Sequence, residues 1–310
     1  MPSSQMALPP FANDPLADVA FRSCDGTIFL LSKHILSIAS PVFADMFSLT
    51  RPVDPSAHEE MWEDRIPIVS VAEDSATLDL LLRWCYPIRP PRLKTLDDVR
   101  RLVAASQKYE VDAVVDAIDD ALQAHLGRDP GGVFAVAVSY DLRKMATTAA
   151  RSALALPLKA VISSVPASRV GDSLNVLIQY HINCGAAAAA VTVTARRDFF
   201  VLLPNFIAYN SGKCEQCFSL DPAYDMQDKR QSTAWYAPRS LWQFLHAAGQ
   251  ALLLNPHEAV IASYQVGQCR NHMDAECASS LRTQSAATFV EMLKREVTSA
   301  IEKVPIPSFT

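Results

Sequence analysis

Residues 29–47 read FLLSKHILSIASPVFADMF, from Phe29 to Phe47. The stretch is strongly apolar and broken once by Ser40-Pro41. It is either part of a reactive site or part of a packed core, and the choice governs the reading of the whole chain. Lys33 to Ala39 spaces Ile35, Leu36 and Ile38 as a short buried helix. Ser40 then sits at an N-cap, with Pro41 at the first helical position. Val42, Phe43, Met46 and Phe47 supply the inner face of that second helix. Ser32, Ser37 and Ser40 read as helix-end hydroxyls, because no base is spaced to activate any of them. Phe29, Leu36, Phe43 and Phe47 therefore read as core anchors, each worth about 3–5 kcal/mol if cut to Ala.

Upstream, Val19 and Phe21 precede Asp25-Gly26, and Ile28 and Leu30 follow it. Asp-Gly between alternating runs is a strong hairpin signal. Downstream, residues 50–65 are polar and contain proline, which predicts a loop. RIPIVSV predicts a short strand. Ser75 to Tyr86 predicts a helix with Leu78, Leu81, Leu82 and Cys85 on one face, ended by Pro87, Pro90 and Pro91. Thr95-x-x-Asp98 is a capping-box variant opening the next helix, with Leu96, Val99, Leu102, Val103 and Ser106 on its inner stripe. Val111, Val114, Val115, Ile118, Leu122 and Leu126 continue at helical spacing.

The order is hairpin, helix pair, strand, helix, helix pair. With Asp18, Asp25-Gly26, Phe29, Lys33, Leu36, Ser40, Phe43, Met46 and Phe47 in place, this resembles a BTB/POZ domain. DLLLRWCYP and LVAASQKYEVDAVVDAI match the later blocks of the same family. The set SPVFADMFSL, LLRWCYP and AASQKYEV looks most like the large fungal group of BTB proteins. Two departures stand out: Ser32 replaces the family's common His before Lys33, and the 50–65 loop is longer and richer in proline. The resemblance implies an α+β domain, a small sheet with helices, over residues 17–126. Residues 1–16 read as a disordered lead-in and 127–310 as an all-α C-terminal domain with a Cys-containing loop.

The resemblance also implies roles. Asp18 and Lys33 match positions that form a charged pocket at the groove of dimeric relatives. Met61-Trp62-Glu63 is similar to a hydrophobic-x-Glu element with which some BTB proteins dock a cullin-3 scaffold. The implied function is a non-enzymatic protein–protein interaction through homodimerisation or partner binding. The alternatives are a substrate adaptor of a cullin-3 ubiquitin ligase and a transcriptional regulator.

In the second half, GRDPGG reads as a linker or tight turn. Helices are predicted over Val133–Asp141, Met145–Leu154, Leu174–Ile182, Trp235–Leu254 and Ala286–Val304, with the Ala186–Ala190 run as helix interior. The cysteines there form a pattern. Cys214-Glu215-Gln216-Cys217 is a C-x2-C pair, the spacing that chelates a tetrahedral Zn²⁺. Cys277 is the expected third ligand, and Cys269, His272 or Cys184 the fourth. Such a site would be structural, since the protein fills every position.

The bulk numbers exclude other classes. Of 310 residues half are hydrophobic, enough for two cores, and the net charge is −5. No Lys/Arg run exceeds two residues, which argues against a nucleic-acid surface. Seven cysteines without an export signal argue against a disulfide framework. No apolar run is expected to reach the ~18–20 residues that span a bilayer. The best stretch, Ala186 to Leu203, is broken by Arg196, Arg197 and Asp198. A soluble, intracellular protein is the expectation. No Walker loop or G-x-G-x-x-G is present, nine glycines are few for a phosphate cradle, and no His is spaced to a nucleophile.

Overall fold

The computed structural model describes residues 5–48, 61–62, 66–164, 172–202, 218–220, 236–262 and 283–306. The chain divides into two compact units, Met1–Arg128 and Asp129–Thr310.

The first unit is built on a five-stranded mixed sheet in the order β1-β3-β2-β5-β4. Its strands are β1 (Gln5–Met6), β2 (Val19–Arg22), β3 (Thr27–Leu31), β4 (Met61–Trp62) and β5 (Ile66–Ser70). The expected hairpin is present: β2 and β3 pair antiparallel with Phe21 opposite Phe29. Its turn closes by Gly26 N–H donating to Ser23 O at 3.0 Å. Gly26 has φ +88°, a left-handed conformation that an L side chain resists. β5 then adds in parallel beside β2.

Five α-helices pack on this sheet's unit: α1 (Lys33–Ala39), α2 (Pro41–Ser48), α3 (Ser75–Cys85), α4 (Leu96–Tyr109) and α5 (Val115–His125), with a 3-10 turn at Asp112–Val114. Their ends are set by the residues the sequence offers. Ser40 Oγ accepts the Phe43 N–H at 3.0 Å and caps α2. The same hydroxyl donates to Tyr109 O, joining α2 to the end of α4. Thr95 and Asp98 close a full capping box on α4. Glu110 ends α4 in a left-handed conformation.

Phe29, Leu36 and Phe43 are buried, so the stretch 29–47 is core. Phe43 stacks on Tyr109 at 4.6 Å and tilts against Phe21 at 5.6 Å. Some of the expected inward residues are less covered. Phe47 is only partly buried, and Ile38 and Val115 are 75% and 57% exposed. A seven-residue helix buries one narrow stripe, and two positions beyond Leu36 lies the far side of the turn.

Two other expectations change in this unit. Residues 5–16 are not a disordered lead-in. β1 pairs in parallel with β3, and Phe11 is 0% exposed. Phe11 packs edge-on to Tyr86 at 5.2 Å, and its carbonyl accepts the Leu30 N–H at 2.9 Å. One buried aromatic anchors a segment whose composition looks unstructured. The 50–65 loop also ends in a strand: Met61 pairs with Pro67 and Trp62 with Ile66. Two residues are too few to show a period of two in sequence.

The second unit is mostly helical, with α6 (Pro130–Ser139), α7 (Arg143–Ala153), α8 (Leu158–Ser164), α9 (Asp172–Leu202), α10 (Arg239–Leu254), α11 (Ala259–Ala262) and α12 (Thr283–Glu302). It is not all-α: β6 (Phe218–Leu220) and β7 (Tyr236–Pro238) form an antiparallel ribbon. GRDPGG spans the division between the two units, with Gly127 and Arg128 in a turn. Asp129 caps α6 by accepting the Gly132 N–H at 2.7 Å, and Pro130 starts the helix. Asp-Pro is a helix-start signal that the two glycines mask.

The predicted helix Leu174–Ile182 and the alanine run merge into α9, 31 residues long. α9 packs against α6, α7, α8, α10 and α12. Gly185 does not break it. A Cβ there would stand 3.0 Å from Leu253 O and 3.3 Å from Leu252 O, so its absence lets the α10 backbone approach. The span Leu174–Val193 carries no Asp, Glu, Lys or Arg, with mean hydropathy 1.4, longer than the expected limit on apolar runs. By length and composition it could cross a membrane; here Leu177, Cys184 and Ala188 along it lie in the core of the unit.

Candidate functional site

Asp18 lies just before β2 and Lys33 opens α1. The structure brings them together through the backbone. Asp18 Oδ1 accepts the Lys33 N–H at 2.7 Å, and the Asp18 N–H donates to Leu31 O at 3.0 Å. Ser32 makes no side-chain cap, so Asp18 does that work for α1 from the neighbouring strand. The Lys33 ammonium instead sits over the Phe47 ring, 6.0 Å from its centroid. Asp18 is exposed, Lys33 half-buried. The carboxylate, the ammonium and the half-open Phe47 face lie around the start of α1.

Large apolar side chains are also turned outward on this unit. Leu8 is 73%, Leu16 76% and Ile38 75% exposed. Leu8 and Leu16 belong to the segment that Phe11 anchors, and Ile38 to α1. Composition gave no sign of Leu8 and Leu16 because that segment read as unstructured.

Met61 and Trp62 form β4 at one edge of the sheet. The expected element therefore starts in a strand, not in a loop after α2. Glu63 lies outside the described residues.

A polar belt that sequence reading missed ties α4 to the start of α3. Glu73 accepts from Lys108 Nζ at 2.5 Å and from the Tyr109 hydroxyl at 2.6 Å. Burial works to raise the Glu73 carboxyl, but the bonds from Lys108 and Tyr109 outweigh it and hold it below its ordinary value. Arg101 reaches Asp74 at 3.2 Å and Asp97 at 2.7 Å. These groups are satisfied by one another and form no nucleophile–base pair, so the belt fixes geometry.

Of the six proposed zinc ligands, Cys214, Cys217, Cys277, Cys269 and His272 lie outside the described residues. Cys184 is 0% exposed on α9, and burial pushes its thiol up to about 11. Cys85, likewise, is pushed by burial up to about 12. Among the described residues no group of three or more His, Cys, Asp or Glu could hold a metal ion.

Comparison with known proteins agrees with the architecture. Residues 9–126 match the model of the BTB/POZ domain. No curated protein matches the chain. The BTB/POZ match covers the sheet from the buried Phe11 through α5, so this part of the chain is a protein-interaction domain, followed by a mostly helical region.

Proposed function

We propose that the BTB/POZ domain of residues 9–126 makes this protein a non-enzymatic interaction protein that pairs with a second copy of itself. The observation that carries the reading is the outward Leu8, Leu16 and Ile38 on a domain whose family binds proteins. The domain buries Phe11, Phe21, Phe29 and Phe43 yet leaves these three side chains exposed. Exposed apolar side chains together with charged groups are what protein interfaces use. Asp18 and Lys33 supply charge at the start of α1, the helix that carries Ile38. A two-fold pairing would use one patch on both copies. The helical region then presents, or recognises, whatever the pair acts on.

Sedimentation velocity of the full chain over a range of concentrations tests it. A dimer mass that falls to the monomer on dilution supports self-pairing. A monomer mass at every concentration removes it.

The adaptor reading rests on Met61-Trp62-Glu63, with Met61 and Trp62 in an edge strand. It requires direct binding to the purified cullin-3 N-terminal region and loss of that binding in Met61→Ala/Glu63→Ala. Transcriptional regulation would draw its DNA contacts from a bound partner, since the chain carries no basic run.

A further inference from the structure

Among the described residues of the second unit, two buried side-chain polar atoms lack a hydrogen-bond partner: His181 Nδ1 and Asn255 Oδ1. His181 lies on α9 and is 1% exposed. Asn255 follows the last residue of α10, and its N–H donates to Ala251 O at 2.9 Å. Both side chains reach the same turn after α7. His181 Nε2 bonds Leu156 O at 3.0 Å, and Asn255 Nδ2 donates to Ala155 O at 3.4 Å.

A carbonyl only accepts, so the His181 nitrogen facing Leu156 carries the proton. That leaves Nδ1 as a lone pair. Burial holds the His181 pKa below its ordinary value, which keeps the ring neutral at physiological pH. Asn255 Oδ1 is an acceptor as well. Two acceptors, held by adjacent carbonyls of one turn, both need a donor.

We propose that a single bound water donates one hydrogen to His181 Nδ1 and the other to Asn255 Oδ1. The water completes a joint between the turn after α7, the middle of α9 and the end of α10. Water fits where a cation does not. Both ligands are neutral, and among the described residues no group of three or more His, Cys, Asp or Glu could complete a metal shell. A buried dication with only neutral partners would be uncompensated. Buried waters occupy sites of this kind, bridging polar groups that the chain cannot satisfy itself.

A high-resolution crystal structure of the full chain tests the proposal. One spherical peak at about 2.7–3.1 Å from both atoms is the expected result. An empty site, two peaks that each touch one atom, or a peak at about 2.0–2.1 Å from Nδ1, the distance of a metal, overturns it. Nitrogen-15 NMR of the histidines gives the same answer in solution. Nε2 protonated with a hydrogen-bonded Nδ1 supports the water; an Nδ1 shift typical of a free lone pair overturns it.

Discussion

Asp25 and Ser75 are bonded to each other across fifty residues. The Ser75 hydroxyl donates to Asp25 Oδ2 at 2.6 Å, and its N–H reaches both carboxylate oxygens at 3.2 Å. The turn between β2 and β3 is thereby fastened to the first residue of α3. Ser23 donates to the same carboxylate from inside the turn.

That relationship predicts an acid transition. Chiefly through the Ser23 bond, and then the Ser75 bond, the Asp25 pKa is lowered to about 2. A carboxyl lowered in the folded state contributes stability above its unfolded pKa of about 3.9 and loses it as pH falls through about 2. Glu73 is lowered too and acts in the same direction. Stability of the first unit should therefore fall between about pH 4 and 2, and the fall should shrink in Asp25→Asn. Denaturant midpoints across that range check it.

Ser40 joins two elements, capping α2 and donating to Tyr109 O. Ser40→Ala should destabilise by about 2 kcal/mol, a lost cap plus a buried carbonyl left unpaired. Ser37→Ala, on the half-buried side of α1, should change stability by less than about 0.5 kcal/mol. Urea titration separates the two.

Asp18 is a cap for α1 rather than an ion-pair partner of the Lys33 ammonium. Asp18→Asn should keep most of the stability, while Asp18→Ala should lose about 1 kcal/mol. Equal losses in both variants would mean that the charge, not the acceptor oxygen, matters.

Gly185 meets backbone and Gly249 meets a side chain, Thr192, whose Oγ1 would lie 2.7 Å from an added Cβ. Gly185→Ala should destabilise the second unit by about 1–3 kcal/mol, against a helix-propensity gain of about 1 kcal/mol. Thermal unfolding checks it. A more stable variant would show that α10 shifts freely from α9.

A bound zinc would have Cys214, Cys217 and Cys277 as ligands, with Cys269, His272 or the buried Cys184 as the fourth. Mass spectrometry under native conditions should then find one zinc per chain, lost in Cys214→Ser, and the substitution among Cys269→Ser, His272→Ala and Cys184→Ser that also loses it names the fourth ligand.

The first unit was legible because its signals are local. Asp25-Gly26, Ser40-Pro41 and Thr95-x-x-Asp98 each state a turn or a cap within a few residues. What the sequence hid depends on distant partners. β1 and Phe11 are ordered by β3 and Tyr86, and β4 by β5. Ile38 lies in an apolar run but faces outward, because α1 is too short to bury more than Leu36. Asp18 was legible as a position, yet its bond to the Lys33 backbone is a cross-element contact that no spacing shows. Asp129-Pro130 held a true helix start, hidden by the glycines behind it.

The most direct measurement is sedimentation of the full chain beside Leu16→Asp/Ile38→Asp, with circular dichroism confirming that the variant keeps its helices. Self-pairing through the outward face predicts a dimer for the natural sequence and a folded monomer for the variant. A folded variant that dimerises as tightly as the natural chain, or a natural chain that never dimerises, contradicts it.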